Sequence, residues 1–133
     1  MNRPGAVHAG YITLTARNGA TYIYLENNLP TAICFIERMR KQRRIDPNST
    51  EWESGDWDVA AEKAASLVGK RIYFHERQAE VSYFGGAITG YRVLPEDHPA
   101  TPGRIVFSFI PDAQGRGFAA GSAGWGFEQK TIP

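Results

Sequence analysis

The sequence predicts an α+β fold, a strongly bent mixed β-sheet or small β-barrel with two helices. Three observations lead there. Five runs rich in aromatic and β-branched residues, at 11–16, 21–25, 70–75, 86–94 and 104–110, have strand composition. Two other stretches, 29–43 and 59–68, have helical apolar spacing or helix-favouring alanine. The chain has 133 residues, 42% hydrophobic and 22% charged, which suits one domain over 1–133 around a single core.

The first two strands flank Asn18-Gly19, a tight-turn signal, so the chain opens with a hairpin. Asn27 and Asn28 then supply caps for a helix over 29–43, with Pro30 tolerated in its first turn. Leu29, Ile33, Ile36 and Met39 recur at spacings of three and four and form one core-facing stripe. Pro47 and the polar residues around it end that helix, and a loop runs to Asp58. Asp56 or Asp58 caps the second helix, 59–68, and Gly69 terminates it. Strands 70–75 and 86–94 follow, then a polar loop from Pro95 to Pro102, then 104–110, the strongest strand signal. The segment 115–126 holds five glycines and ends near Trp125. It is too apolar for a solvated linker and reads as an ordered loop.

The formal net charge of +1 provides no global field toward nucleic acid or an anionic membrane, so any electrostatic site must be local. Five cations fall within seven residues: Arg38, Arg40, Lys41, Arg43 and Arg44. One reading is a solvated helix end that complements the helix dipole; the other is a set of phosphate contacts. Glu51, Glu53, Asp56 and Asp58 surround Trp52 and Trp57, whose rings must either dock on the core or meet a ligand. With Tyr83, Phe84 and Trp125 they offer enough flat apolar surface to stack a base. Gly85 and Gly86 permit a bulge or a close backbone approach that aims Tyr83 and Phe84 into a cleft.

His75 is either a hydrogen-bonded structural residue or the group that titrates near neutral pH. His8, His75 and His98 lack the spacing of metal ligands, and the single cysteine, Cys34, sits in an apolar run as a buried thiol. No nucleotide-binding glycine loop, nucleophile elbow or carboxylate pair marks a reaction, so no catalytic residue, metal or cofactor is expected. No run reaches the length of a membrane span and no secretion signal opens the chain, which predicts a cytoplasmic protein.

Residues 67–75, followed by the glycine-rich strand at 86–93, resemble the PUA-like superfamily, especially its EVE and ASCH branches. The resemblance implies a compact barrel with helices at its openings. In the EVE branch it implies a cleft for a modified base, and in the ASCH branch RNA-related binding or hydrolysis by lysine, threonine and glutamate. Lys70 stands at a strand start as such a lysine would, although no threonine and glutamate align with the pattern, and the N-terminal hairpin departs from the usual EVE opening.

The expected function is nucleic-acid binding to DNA or RNA. Trp52, Trp57, His75, Tyr83, Phe84 and Trp125 would hold a modified or flipped base, and Arg38, Arg40, Lys41, Arg43 and Arg44 the phosphates. The alternatives are a protein-interaction module anchored by the same aromatics, and a small hydrolase in which Lys70, His75 and Glu76 share a pocket.

Overall fold

A computed structural model describes residues 10–15, 19–25 and 29–133. In chain order the elements are β1 (Tyr11–Thr15), β2 (Thr21–Leu25), β3 (Ala32–Ile36), β4 (Arg43–Arg44), β5 (Trp52–Trp57), helix α1 (Ala61–Leu67), β6 (Arg71–His75), β7 (Phe84–Val93), β8 (Ile105–Pro111), a 3-10 turn (Ala113–Gly115) and β9 (Gln129–Ile132). The opening hairpin forms as expected, with Tyr11 opposite Leu25 and Thr15 opposite Thr21. Asn18 of its turn, and the predicted caps Asn27 and Asn28, lie outside the described residues.

The main sheet has seven strands in the order β4-β5-β8-β7-β6-β3-β9. It is mixed: β3 and β6 run parallel, and every other neighbouring pair is antiparallel. Its two ends do not meet, so the sheet is open where a small barrel was expected. The α+β class holds, with one α-helix rather than two among the described residues.

The helix predicted over 29–43 is absent. Its core is β3, five consecutive residues that are all buried. A helix turns successive side chains 100° apart and buries five in a row only when enclosed all round. A strand does so by lying between two layers, as strands of parallel pairs typically do. Ile33 and Phe35 enter the main core with Ile72, Phe74, Phe107 and Phe109, while Ala32 and Cys34 face a second cluster with Tyr73 and Ala120. Met39, the last member of the predicted stripe, is 72% exposed. The basic segment therefore lies on an irregular connection ending in β4, and no helix terminus neutralises it.

Helix α1 falls inside the predicted 59–68 and buries Ala64, Ala65 and Leu67 against the main core. Ala60, not an aspartate, occupies its N-cap and makes no side-chain cap; Asp56 instead accepts the Thr101 hydroxyl at 2.6 Å. A helix this short is held by packing rather than by propensity. Gly69 ends it at φ +85°, as expected. Gly85 and Gly86 are close-approach positions: a Cβ on Gly85 would strike the Ile72 carbonyl and one on Gly86 the Ile110 carbonyl. Those contacts let β7 lie between β6 and β8 and bring its first residue, Phe84, opposite Phe74.

Candidate functional site

The antiparallel and parallel pairings bring one terminus of each of the seven strands to one end of the sheet. These are the C-terminal ends of β3, β4, β6 and β8 and the N-terminal ends of β5, β7 and β9. Residues 37–42 leave β3 at this end and cross to β4 at the far edge of the sheet. The cation-rich stretch thus spans a row of strand ends, and what stands at each end decides what the cations meet.

At the end of β6 and the start of β7 stands Tyr83. Its hydroxyl donates to the Glu37 carbonyl at 2.6 Å and accepts from the Gln42 amide at 2.8 Å. Burial pushes its pKa up, with the Gln42 hydrogen bond acting in the opposite direction. The Arg40 guanidinium lies over the ring, 3.9 Å from its centroid, and approaches Glu76 Oε2 at 3.2 Å. That oxygen is buried and makes no aligned hydrogen bond, so Arg40 and Glu76 are joined by charge alone. Glu37, only 9% exposed, takes the Met39 N–H at 2.8 Å and so fixes the turn that presents Arg40.

Farther along, Trp52 opens β5 and meets Phe84 edge-on, with centroids 5.2 Å apart. Arg44 caps it from outside, 5.7 Å from the ring centroid. Each such cation–ring contact is worth about 0.5–1 kcal/mol at an exposed site. Trp52, Tyr83 and Phe84 are therefore brought together with Arg40 and Arg44 on one end of the sheet.

The other three predicted ligand residues do not join this group. Trp57 stacks on Phe35 with centroids 3.9 Å apart, and its Nε1–H donates to Ser54 Oγ at 3.0 Å, so it belongs to the core. Trp125 packs on the second cluster, donates to the Gly121 carbonyl at 2.7 Å, and meets His75 edge-on. His75 is fully buried. Its Nδ1 lies 2.9 Å from the Glu80 carbonyl, an acceptor, so Nδ1 carries the proton and Nε2 is left without a partner. Burial lowers its pKa against the raising effect of that carbonyl, so the ring is neutral.

The five predicted phosphate contacts differ in how free they are. Arg38 pairs with Glu128 at 3.1 Å, Arg40 with Glu76, and Arg43 with Glu53 at 3.2 Å, the last shared with Arg92. Arg44 donates to the Pro47 carbonyl at 3.4 Å, and Lys41 has no ion-pair partner among the described residues. Sequence reading overlooked Glu37 and Gln42 and considered Glu76 only as a hydrolase residue beside Lys70 and His75; the partners of all three lie in separate segments, and no local spacing announces them.

Lys70 immediately precedes β6 and His75 ends it. Five residues of strand put about 16 Å between them, so the lysine shares no pocket with His75 and Glu76. Cys34 is buried with its pKa pushed up to about 12 by desolvation, which Lys130 only partly offsets, and its thiol stays protonated. Among the described residues no group of three or more His, Cys, Asp or Glu side chains is arranged to hold a metal ion, and no helix is long and apolar enough to cross a membrane. A cleft of about 530 Å³ opens between β2, α1 and β9 and contains Lys63, held by Thr131 at 3.1 Å; none of the predicted aromatic residues lines it. Comparison with protein-family models, curated proteins and solved structures gives no match for the chain.

Proposed function

We propose that this protein binds nucleic acid at the end of the sheet where its cations lie on aromatic rings. One observation carries the reading: Arg40 over Tyr83 and Arg44 over Trp52, set along a single connection of five cations. Phosphates would meet the outward N–H groups of Arg38, Arg40, Lys41, Arg43 and Arg44, and a base would lie on the guanidinium planes or on the Trp52–Phe84 ledge. Arginine planes and aromatic rings both stack bases, at about 1–3 kcal/mol per base for the rings. The ion pairs with Glu128, Glu76 and Glu53 hold the guanidinium groups in place but reduce the net field, so binding is expected to be strongest at low salt.

The resemblance to the PUA-like superfamily belongs to the same proposal. The α1–Gly69–β6 step supports it, and an open sheet moves the base contact from the interior of a barrel to the strand ends. The separation of Lys70 from Glu76 along β6 disfavours the hydrolase alternative. The test is binding of labelled oligonucleotides as a function of salt. Affinity should fall steeply as salt rises, and Arg40→Gln with Arg44→Gln should weaken binding and reduce the logarithmic salt slope by about one for each phosphate that is no longer neutralised. Absence of binding at low salt would exclude the proposal.

A further inference from the structure

Among the described residues only two other than glycine have positive φ, Arg40 at 52° and Phe127 at 55°. Both stand at the same end of the sheet, since Phe127 lies just before β9, whose first residue pairs with Phe35. A left-handed backbone crowds any Cβ and persists only where the surroundings hold it, a pattern concentrated at functional sites. For Arg40 the holding groups are Glu37, Glu76 and Tyr83, as described above.

Phe127 is held just as firmly while its ring is left free. Gly126 N–H donates to the Gln129 carbonyl at 2.9 Å and Gln129 N–H returns to Gly126 at 3.1 Å, closing a two-residue turn around Phe127 and Glu128. Ile36 N–H donates to the Glu128 carbonyl at 2.9 Å, and the Glu128 carboxylate pairs with Arg38. Gln78 reaches the Phe127 carbonyl at 3.5 Å. The residue nonetheless remains 98% exposed. A large apolar ring in strained backbone, with no burial in return, is a poor arrangement for stability and a good one for contact with a partner.

We infer that Phe127 is a stacking platform for an unpaired base, and that the site takes single-stranded rather than duplex nucleic acid. This rests on the nucleic-acid reading above and specifies its ligand. The basic connection starts at Arg38, tied to the residue beside Phe127, passes Arg40 on Tyr83 and ends at Arg44 on Trp52. Cations and flat groups therefore alternate along a path of at most about 20 Å, the pattern by which proteins track a single strand. In a duplex, bases cover one another's faces and offer only their edges. A fully exposed ring finds a stacking partner only where bases are unpaired.

The experiment measures fluorescence anisotropy of a labelled mixed-sequence strand of about ten nucleotides, within the site sizes of single-strand binders, and of its duplex. Wild type, Phe127→Gly and Phe127→Trp are compared as full chains. Glycine relaxes the left-handed backbone, so that variant folds at least as well as wild type, which a thermal melt checks. Phe127→Gly should bind the single strand about tenfold more weakly, as removal of one base–aromatic stack requires. Its salt slope should not change, because no charge is removed, and Phe127→Trp should bind as wild type does.

Equal affinity of wild type and Phe127→Gly for the single strand overturns the inference, as does equal affinity of wild type for duplex and single strand. A Phe127-dependent affinity for phosphatidylserine vesicles with oligonucleotide binding untouched also overturns it and assigns the ring to a membrane. Sensitivity to Arg40→Gln with Arg44→Gln but not to Phe127→Gly sinks this inference alone. A wild type that binds no oligonucleotide removes the underlying reading as well.

Discussion

Residues 32–36 and 38–44 are neighbours in sequence and opposites in physics. The first five belong to the sheet's one parallel pair, are buried on both faces, apolar throughout and paired along both edges. Residues 38–44 are exposed except for half-buried Gln42, contain five cations, and bend across the strand ends with Arg40 in left-handed backbone. The difference shows a division of labour: β3 and β6 supply the rigidity, and the connection leaving β3 uses it to present charge and rings. Substitutions in the two regions should therefore separate stability from binding.

The largest expected effect is at the centre. Phe35 is fully buried and stacked on Trp57, so Phe35→Ala should cost about 3–5 kcal/mol in denaturant unfolding, whereas Arg40→Gln should cost less than about 1 kcal/mol. If the two losses were alike, the contrast between core strand and presenting connection would fail.

Acid should expose the next weakness, at the C-terminal end of β6. His75 is held neutral, its pKa lowered chiefly by burial from an ordinary value of 6.5. Between the lowered folded value and 6.5 the unfolded chain binds more protons than the folded one. Stability therefore rises with pH through this window and is lost as pH falls below about 6.5, at no more than about 1.4 kcal/mol per pH unit. His75→Asn keeps an N–H for the Glu80 carbonyl and removes the titration. Its urea midpoint should vary less between pH 5 and pH 7 than that of the wild type; an equal variation would place the acid-sensitive group elsewhere.

How much of this contrast was legible in the sequence depends on how local its causes are. The opening hairpin, α1 with its terminating Gly69, and strands β6, β7 and β8 follow from short-range composition. β3 was missed because its apolar residues fit both a helical stripe and a doubly buried strand, and only the pairing of Ile33 with Ile72 and Phe35 with Phe74 decides between them. β5 was hidden by its carboxylates. Trp52 and Trp57, five residues apart, would face opposite sides of a regular strand, yet both pack on the main core. An irregularity between Ser54 and Trp57 shifts the register and reverses the alternation. At the candidate site the basic run and Tyr83–Phe84 were visible, but the contacts that arrange them join residues far apart, such as Arg38 with Glu128. Phe127 was overlooked because nothing in a Gly-Phe-Glu step distinguishes an exposed ring from a buried one.

Tyr83 links the two regions, and Tyr83→Phe should have an intermediate effect. Losing the hydroxyl leaves the Glu37 carbonyl and the Gln42 amide without a partner, for a cost of about 1 kcal/mol. The ring under Arg40 remains, so oligonucleotide affinity should change less than in Arg40→Gln. A larger binding loss in Tyr83→Phe would mean that the hydroxyl network, rather than the guanidinium over the ring, sets the geometry of the site.

The smallest stability change should accompany a binding change of opposite sign. Arg38 and Glu128 are each more than half exposed, so their pair contributes little to folding, and Glu128→Gln should lower stability by less than about 0.5 kcal/mol. The backbone bond from Ile36 to residue 128 survives the substitution, and the turn bearing Phe127 persists with it. Removing the carboxylate frees Arg38 for a phosphate and deletes a repelling charge beside the path of the strand. Affinity should rise a few-fold at low salt, with a slope steeper by up to about one. Weaker binding would reverse the role of Glu128, making it the group that holds Arg38 in a productive position. The connection would then depend on its ion pairs for geometry as β3 depends on its neighbours for burial.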